Sequence, residues 1–361
     1  MKQHPRTLIL QPIFNAGGAN VSAKVAAIYA ILFVLNIGAW IWAWVSFHDK
    51  PTMLGISVLA YTFGLRHAVD ADHIAAIDNV TRKLMQEKKR PVATGFFFSM
   101  GHSLVLLIGV AAIALTATML ESRFQHFNND AGIIGTVFSA GFLLLIAVVN
   151  LMIAVSVYRT FNHVRRGGVY IDEDFDMLLN KRGVLARLFR PLFSLVNKSW
   201  HMAPLGFLFG LGFDTATEVT LLGIASTQAT HGMSLWPILS FPLLFAAGMS
   251  LIDTTDGILM LGAYGWAFVK PVRKLYYNLT ITLVSVIVAF VVGGIEGLGL
   301  IGSELNLTGW FWSKVGMLNG NFGSLGYIIV GIFAMSWIIS TMVYRLKRYD
   351  DLDVAALDNV N

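Results

Sequence analysis

The chain has no cysteine among its 361 residues. That removes disulfides and thiolate ligands together, so any metal must be held by nitrogen and oxygen donors, with methionine thioether as the one sulfur available. Charge is scarce as well. Only 13% of residues are Asp, Glu, Lys or Arg, while 56% are hydrophobic. With a mean hydropathy of +0.66, too little polar material remains to wet the surface of a soluble globule. Also missing are an HExxH motif and any identifiable nucleophile arrangement, which argues against a hydrolase. No basic stripe interleaved with aromatics is present, so no nucleic-acid partner is expected. The first 21 residues carry Lys2, Pro5, Arg6 and Pro12 with little apolar continuity and do not read as a cleavable signal peptide.

What the chain does have is a series of apolar runs, each long enough to cross a bilayer at about 20 residues. Eight are expected, at 23–47, 52–80, 92–119, 131–158, 203–227, 235–268, 275–300 and 323–344. The expected fold is therefore an all-α, polytopic membrane protein with eight transmembrane helices and the lipid bilayer as its solvent. Lysine and arginine test this independently, because they accumulate on the cytoplasmic side. With the N-terminus inside, 22 of the 26 fall inside, against Lys50, Arg123 and Lys314 outside and Arg66 within a span. Both termini are then cytoplasmic in a bacterial inner membrane, and the net charge of +5 is a topology signal.

One long polar segment divides the chain. The expected organisation is an N-terminal half (1–158) with spans 1–4, a cytoplasmic linker (159–202) and a C-terminal half (203–361) with spans 5–8. Within the linker, an amphipathic piece is expected over 184–195, and Asp172, Glu173, Asp174 and Asp176 are expected to sit in water. The halves echo one another. Phe63-Gly64-Leu65 returns as Phe209-Gly210-Leu211, and Gly101-His102-Ser103-Leu104 returns as Gly248-Met249-Ser250-Leu251, at offsets of 146 and 147 residues. An offset of three spans makes the related helices antiparallel, which predicts an inverted-topology repeat of the kind that gives secondary carriers alternating access.

Polar residues then stand where hydrocarbon should be. His67, Asp70, Asp72 and His73 fall in the second run and His102 in the third. Asp214 and Glu218 lie in the fifth, and Asp253 and Asp256 in the sixth. Six intramembrane carboxylates facing lipid at mid-helix would cost on the order of 15–20 kcal/mol, so they must face one another, a wet cavity or a cation. Arg66 is expected to pair with Asp70 or with a carboxylate across the bundle.

Spacing limits which of these can cooperate. On an ideal helix His67, Asp70 and His73 share a face and Asp72 points away, but the two histidines are about 9 Å apart along the axis. One ion reaches both only if the segment is bent or unwound, and Gly64 is a candidate for the break. Asp214 with Glu218, and Asp253 with Asp256, pair at helical spacing, and such like charges are relieved by a cation or a shared proton. Imidazole mixed with carboxylate suits Ni²⁺, Co²⁺ or Zn²⁺ rather than Mg²⁺ or Ca²⁺.

These residues resemble the signatures of the nickel/cobalt transporter (NiCoT) family of bacteria, archaea and fungi. The similarity covers Arg66-His67-Ala-Val-Asp70-Ala-Asp72-His73, Phe98-Ser-Met-Gly101-His102-Ser103, Leu211-Gly-Phe-Asp214-Thr-Ala-Thr-Glu218 and Gly248-Met-Ser-Leu-Ile-Asp253-Thr-Thr-Asp256-Gly257, in order. The resemblance implies secondary, high-affinity uptake of Ni²⁺, Co²⁺ or both across the cytoplasmic membrane, with the ion as substrate. It implies no ATPase subunit, no required cofactor and no enzymatic activity. It also implies that His67, Asp72, His73 and His102 govern uptake or ion choice. An intramembrane metal-dependent enzyme and a transition-metal exporter are the alternative readings.

Overall fold

The computed structural model describes residues 19–87, 89–116, 121–166, 196–211, 216–267 and 271–346. Every regular element among them is helical. Five are long and apolar enough to cross a membrane: α1 (Ala19–Phe47), α4 (Thr94–Thr116), α5 (Glu121–Arg165), α8 (Leu235–Ala267) and α9 (Pro271–Glu304). A sixth candidate is the pair α10 (Trp310–Asn319) and α11 (Phe322–Leu346), bent by 77° at their junction. The protein is an all-α, multi-pass membrane protein.

The runs expected at 52–80 and 203–227 are not continuous helices. The first is split into α2 (Pro51–His67) and α3 (Ala71–Gln86), the second into α6 (Met202–Gly210) and α7 (Ala216–Thr230). The break in the first run falls at Ala68–Asp70, downstream of Gly64, where Asp70 turns extended (φ −65°, ψ 149°) and becomes the N-cap of α3. Helix α5 runs past the expected end of the first half to Arg165. Of the linker, residues 167–195, with the acidic run and the amphipathic piece, lie outside the described residues. A 3₁₀ turn over Ser199–His201 leads into α6.

Helix α3 is the hub. Its mean hydropathy is near zero, yet 14 of its residues are buried, because α5, α8, α9 and α11 surround it. Arg82 and Lys83, counted above among the basic residues on the cytoplasmic side, belong to α3, and Arg82 is completely buried. Its guanidinium donates to Thr282 Oγ1 (3.0 Å) and Asn79 Oδ1 (2.8 Å), and Asn150 Nδ2 donates to the same oxygen (2.6 Å). One turn earlier, Asp78 accepts from the Tyr264 hydroxyl and from Ser285 Oγ (2.7 Å). These bonds satisfy much of a polar network in a low-dielectric interior, although Arg82 Nε and Asn150 Oδ1 are buried without a hydrogen-bond partner.

Two close helix crossings position the site. Helix α2 crosses α8 with Gly64 against the backbone of Phe245, and α6 crosses α4 with Gly206 against the backbone of Phe98. A Cβ at either glycine would overlap a main-chain carbonyl. Small residues let backbones meet in this way, which is how helices associate when lipid removes the hydrophobic drive.

Candidate metal centre

The break between α2 and α3 does what an unbroken helix cannot. It folds His73 back toward His67, so that their ring centroids are 4.6 Å apart rather than at opposite ends of two helical turns. His102, on α4, closes the triangle at 4.9 Å from His67 and 4.7 Å from His73. One ring nitrogen of each lies within 4.8 Å of the others, and all three residues are buried.

Each histidine has its own carboxylate. Asp70 Oδ2 lies 3.0 Å from His67 Nδ1. Although Asp70 occupies an N-cap, a position where aspartate ordinarily bonds the first amides and contributes about 1 kcal/mol, its side chain makes no capping bond and serves the imidazole instead. Asp253 Oδ2 lies 3.3 Å from His73 Nδ1. Glu218, in the first turn of α7, places Oε1 3.0 Å from His102 Nε2. His67 Nε2 in turn lies 2.9 Å from His102 Nε2 and 3.9 Å from Glu218 Oε1. Two further nitrogens, His73 Nε2 and His102 Nδ1, are buried with no hydrogen-bond partner.

The structure thus brings together His67, His73, His102, Asp70, Glu218 and Asp253. Asp72 is half-buried in the first turn of α3, close enough to act electrostatically on His67 and His73. Asp256, one turn beyond Asp253, is half-buried with Oδ2 shielded and unpartnered. Asp214 lies outside the described residues. Arg66 departs from expectation: at the end of α2 it is exposed and, among the described residues, holds no carboxylate, Asp70 being taken by His67. Sequence reasoning passed over Ser99, whose hydroxyl donates to Asp253 Oδ2 at 2.8 Å; its one available signal is its place a single turn before His102 on α4.

A multi-pass helical protein that buries three imidazoles, each beside a carboxylate, around the break between two helices belongs to the class built to receive a cation inside the bilayer. Residues 53–343 match the family described as high-affinity nickel-transport protein, and the chain belongs to that family. It is 58% identical over 334 residues to a high-affinity nickel transport protein of Cupriavidus necator, covering 92% of this chain and 95% of the relative. It is 49% identical to the hydrogenase nickel incorporation protein HupN of Bradyrhizobium diazoefficiens, covering 89% and 84%. It is 38% identical to the cobalt transport protein NhlF of Rhodococcus rhodochrous, covering 90% and 92%. No solved structure matches the chain.

Proposed function

We propose that this protein is a secondary carrier that takes up Ni²⁺, Co²⁺ or both across the bacterial cytoplasmic membrane, with the ion held by His67 Nε2, His102 Nε2 and Glu218 Oε1 and with His73 beside them. The observation that carries this reading is the shape of that atomic triangle. Its edges are 2.9, 3.0 and 3.9 Å. A circle through three points so spaced has a radius of about 2.0 Å, within the range of about 2.0–2.2 Å found for bonds from a divalent ion such as zinc to imidazole and carboxylate. An ion at its centre sees the two short edges near 95–100° and the long one near 165°, roughly three corners of a square. That favours the tetragonal or octahedral preference of Ni²⁺ over tetrahedral Zn²⁺.

Eight crossings follow if each broken helix counts as one span, as does α10 with α11. Both termini are then cytoplasmic, in keeping with the distribution of Lys and Arg. Spans 2 and 3 and spans 5 and 6, on either side of the linker, form an inverted repeat. Its support is the pairing of α2 with α8 and of α6 with α4, in which the first span of each repeat unit crosses the second span of the other. Imidazoles come from the first half and Glu218 and Asp253 from the second, so a relative movement of the halves opens or closes the site. A divalent ion moving inward through 100 mV, interior negative, already gains about 4.6 kcal/mol, and transport needs no ATPase subunit. Asp72 and Asp256 are further acidic stations for the entering or leaving ion, and Asp214, four positions before Glu218 in the sequence, belongs to the proposed ion-binding set. As a transporter-family member the protein is not an enzyme, and the metal is cargo rather than cofactor.

Radioactive nickel and cobalt uptake into cells expressing the protein tests the reading, with His67→Ala and Glu218→Gln variants at equal membrane levels. Wild-type accumulation of at least one ion, with both variants failing, is expected. Accumulation of neither ion by the wild type, or normal uptake by both variants, contradicts it.

A further inference from the structure

The two nitrogens of His73 differ: Nε2 is buried with no hydrogen-bond partner, while Nδ1 faces Asp253 at 3.3–3.4 Å. Asp253 accepts a second, shorter bond from Ser99 Oγ at 2.8 Å. Ser99, His73 and Asp253 are all completely buried. The Ser99 hydroxyl also lies 2.9 Å from the Gly95 carbonyl, but its single hydrogen goes to the carboxylate, since a charged acceptor outcompetes a neutral one. Helices α4 and α8 touch through their backbones here, Gly95 against Asp253, which brings Ser99 within reach.

We infer that Ser99 is a positioning residue for metal binding: it holds Asp253 against His73 Nδ1, so that His73 keeps its hydrogen there and presents the Nε2 lone pair to the ion. The inference rests on the metal site proposed above. A carboxylate behind a ligating imidazole fixes the ring's tautomer and orientation and raises its donor strength. At 3.3 Å the His73–Asp253 contact is long for a charge-assisted bond, so Asp253 needs a second anchor to stay in line. Among the described residues its other hydrogen-bond partner is Ser99.

The test is calorimetric titration of Ni²⁺ into the purified full-length protein in lipid nanodiscs, comparing wild type, Ser99→Ala, Ser99→Thr, His73→Ala and the Ser99→Ala/His73→Ala double variant. Removing an outer partner of a metal-ligating histidine weakens binding about 10–100-fold, and Ser99, one step further out, should cost about three- to tenfold. Threonine, which keeps the hydroxyl, should restore affinity to within about twofold of wild type. In the His73→Ala background the Ser99→Ala change should add nothing. Unaltered affinity in Ser99→Ala, or the same loss with and without His73, overturns the inference and leaves the metal site standing. A wild type that binds no nickel overturns the site itself.

Discussion

The two broken helices are built on one plan and packed in opposite ways. In the first, α3 lies at the centre of the bundle with its far turns locked by Asp78, Asn79 and Arg82 to residues of α5, α8 and α9. In the second, α7 buries a strip made of Thr217, Glu218, Leu221, Leu222 and Ala225, while Thr220, Gly223, Thr227 and Thr230 are exposed. The chemistry divides along the same line. At the proposed repeat offset of 146, His67 and His73 are answered by Phe213 and Val219 and Asp72 by Glu218; at 147, His102 is answered by Met249. Nitrogen donors therefore belong to the anchored half, and an oxygen donor to the thinly packed one. Regions with few buried contacts are those that open at least cost, so on the proposed reading α7, carrying Glu218, is the element expected to move when the ion enters or leaves.

This contrast can be broken at several points. Arg82→Ala strips the anchor of the first half and leaves buried partners unsatisfied, a loss of about 3–5 kcal/mol, visible as a large fall in thermal midpoint and in folded yield. If α3 is no better anchored than α7, that fall will be absent. His102→Ala removes a shared corner of the ligand triangle and should reduce nickel uptake at subsaturating concentration by about 100-fold, or roughly 2.7 kcal/mol, with membrane levels unchanged. Gly64→Ala and Gly206→Ala each force apart a backbone crossing, at about 1–3 kcal/mol; both should slow transport and lower stability together. Acidification sharpens the chemical half of the comparison. Imidazole must be neutral to ligate, so nickel affinity of the purified protein should be lower at pH 5.5 than at pH 7.5, as protons compete with the ion for the ligand nitrogens. Smallest of all, Thr227→Ala on the exposed face of α7 should change stability by less than about 0.5 kcal/mol.

Much of the site was legible before any coordinates, and what escaped did so for identifiable reasons. Histidines and carboxylates inside apolar runs announce themselves by their desolvation cost, and the axial separation of His67 and His73 already demanded a bend. The bend's location did not follow, because no proline or glycine marks Ala68–Asp70. Arg66 was misjudged because an intramembrane charge is assumed to face inward, whereas the end of α2 carries it outward. The pairings His102–Glu218 and His73–Asp253 join residues 116 and 180 positions apart, and only the helix crossings decide them. The Asp78–Arg82 network was hidden by its neighbours: a run rich in Lys and Arg reads as a cytoplasmic loop. Yet Ile74, Ala75, Ala76, Ile77, Val80 and Leu84 surround it with apolar residues on every side of the helix, which is the mark of a buried element.

The most direct test is nickel-edge X-ray absorption on the metal-loaded protein in membranes. The account predicts nitrogen and oxygen neighbours near 2.0–2.2 Å, scattering from at least two imidazoles, no sulfur, and the loss of one imidazole in His67→Ala or His102→Ala. A spectrum with oxygen neighbours alone, or one unaltered by either substitution, would contradict it.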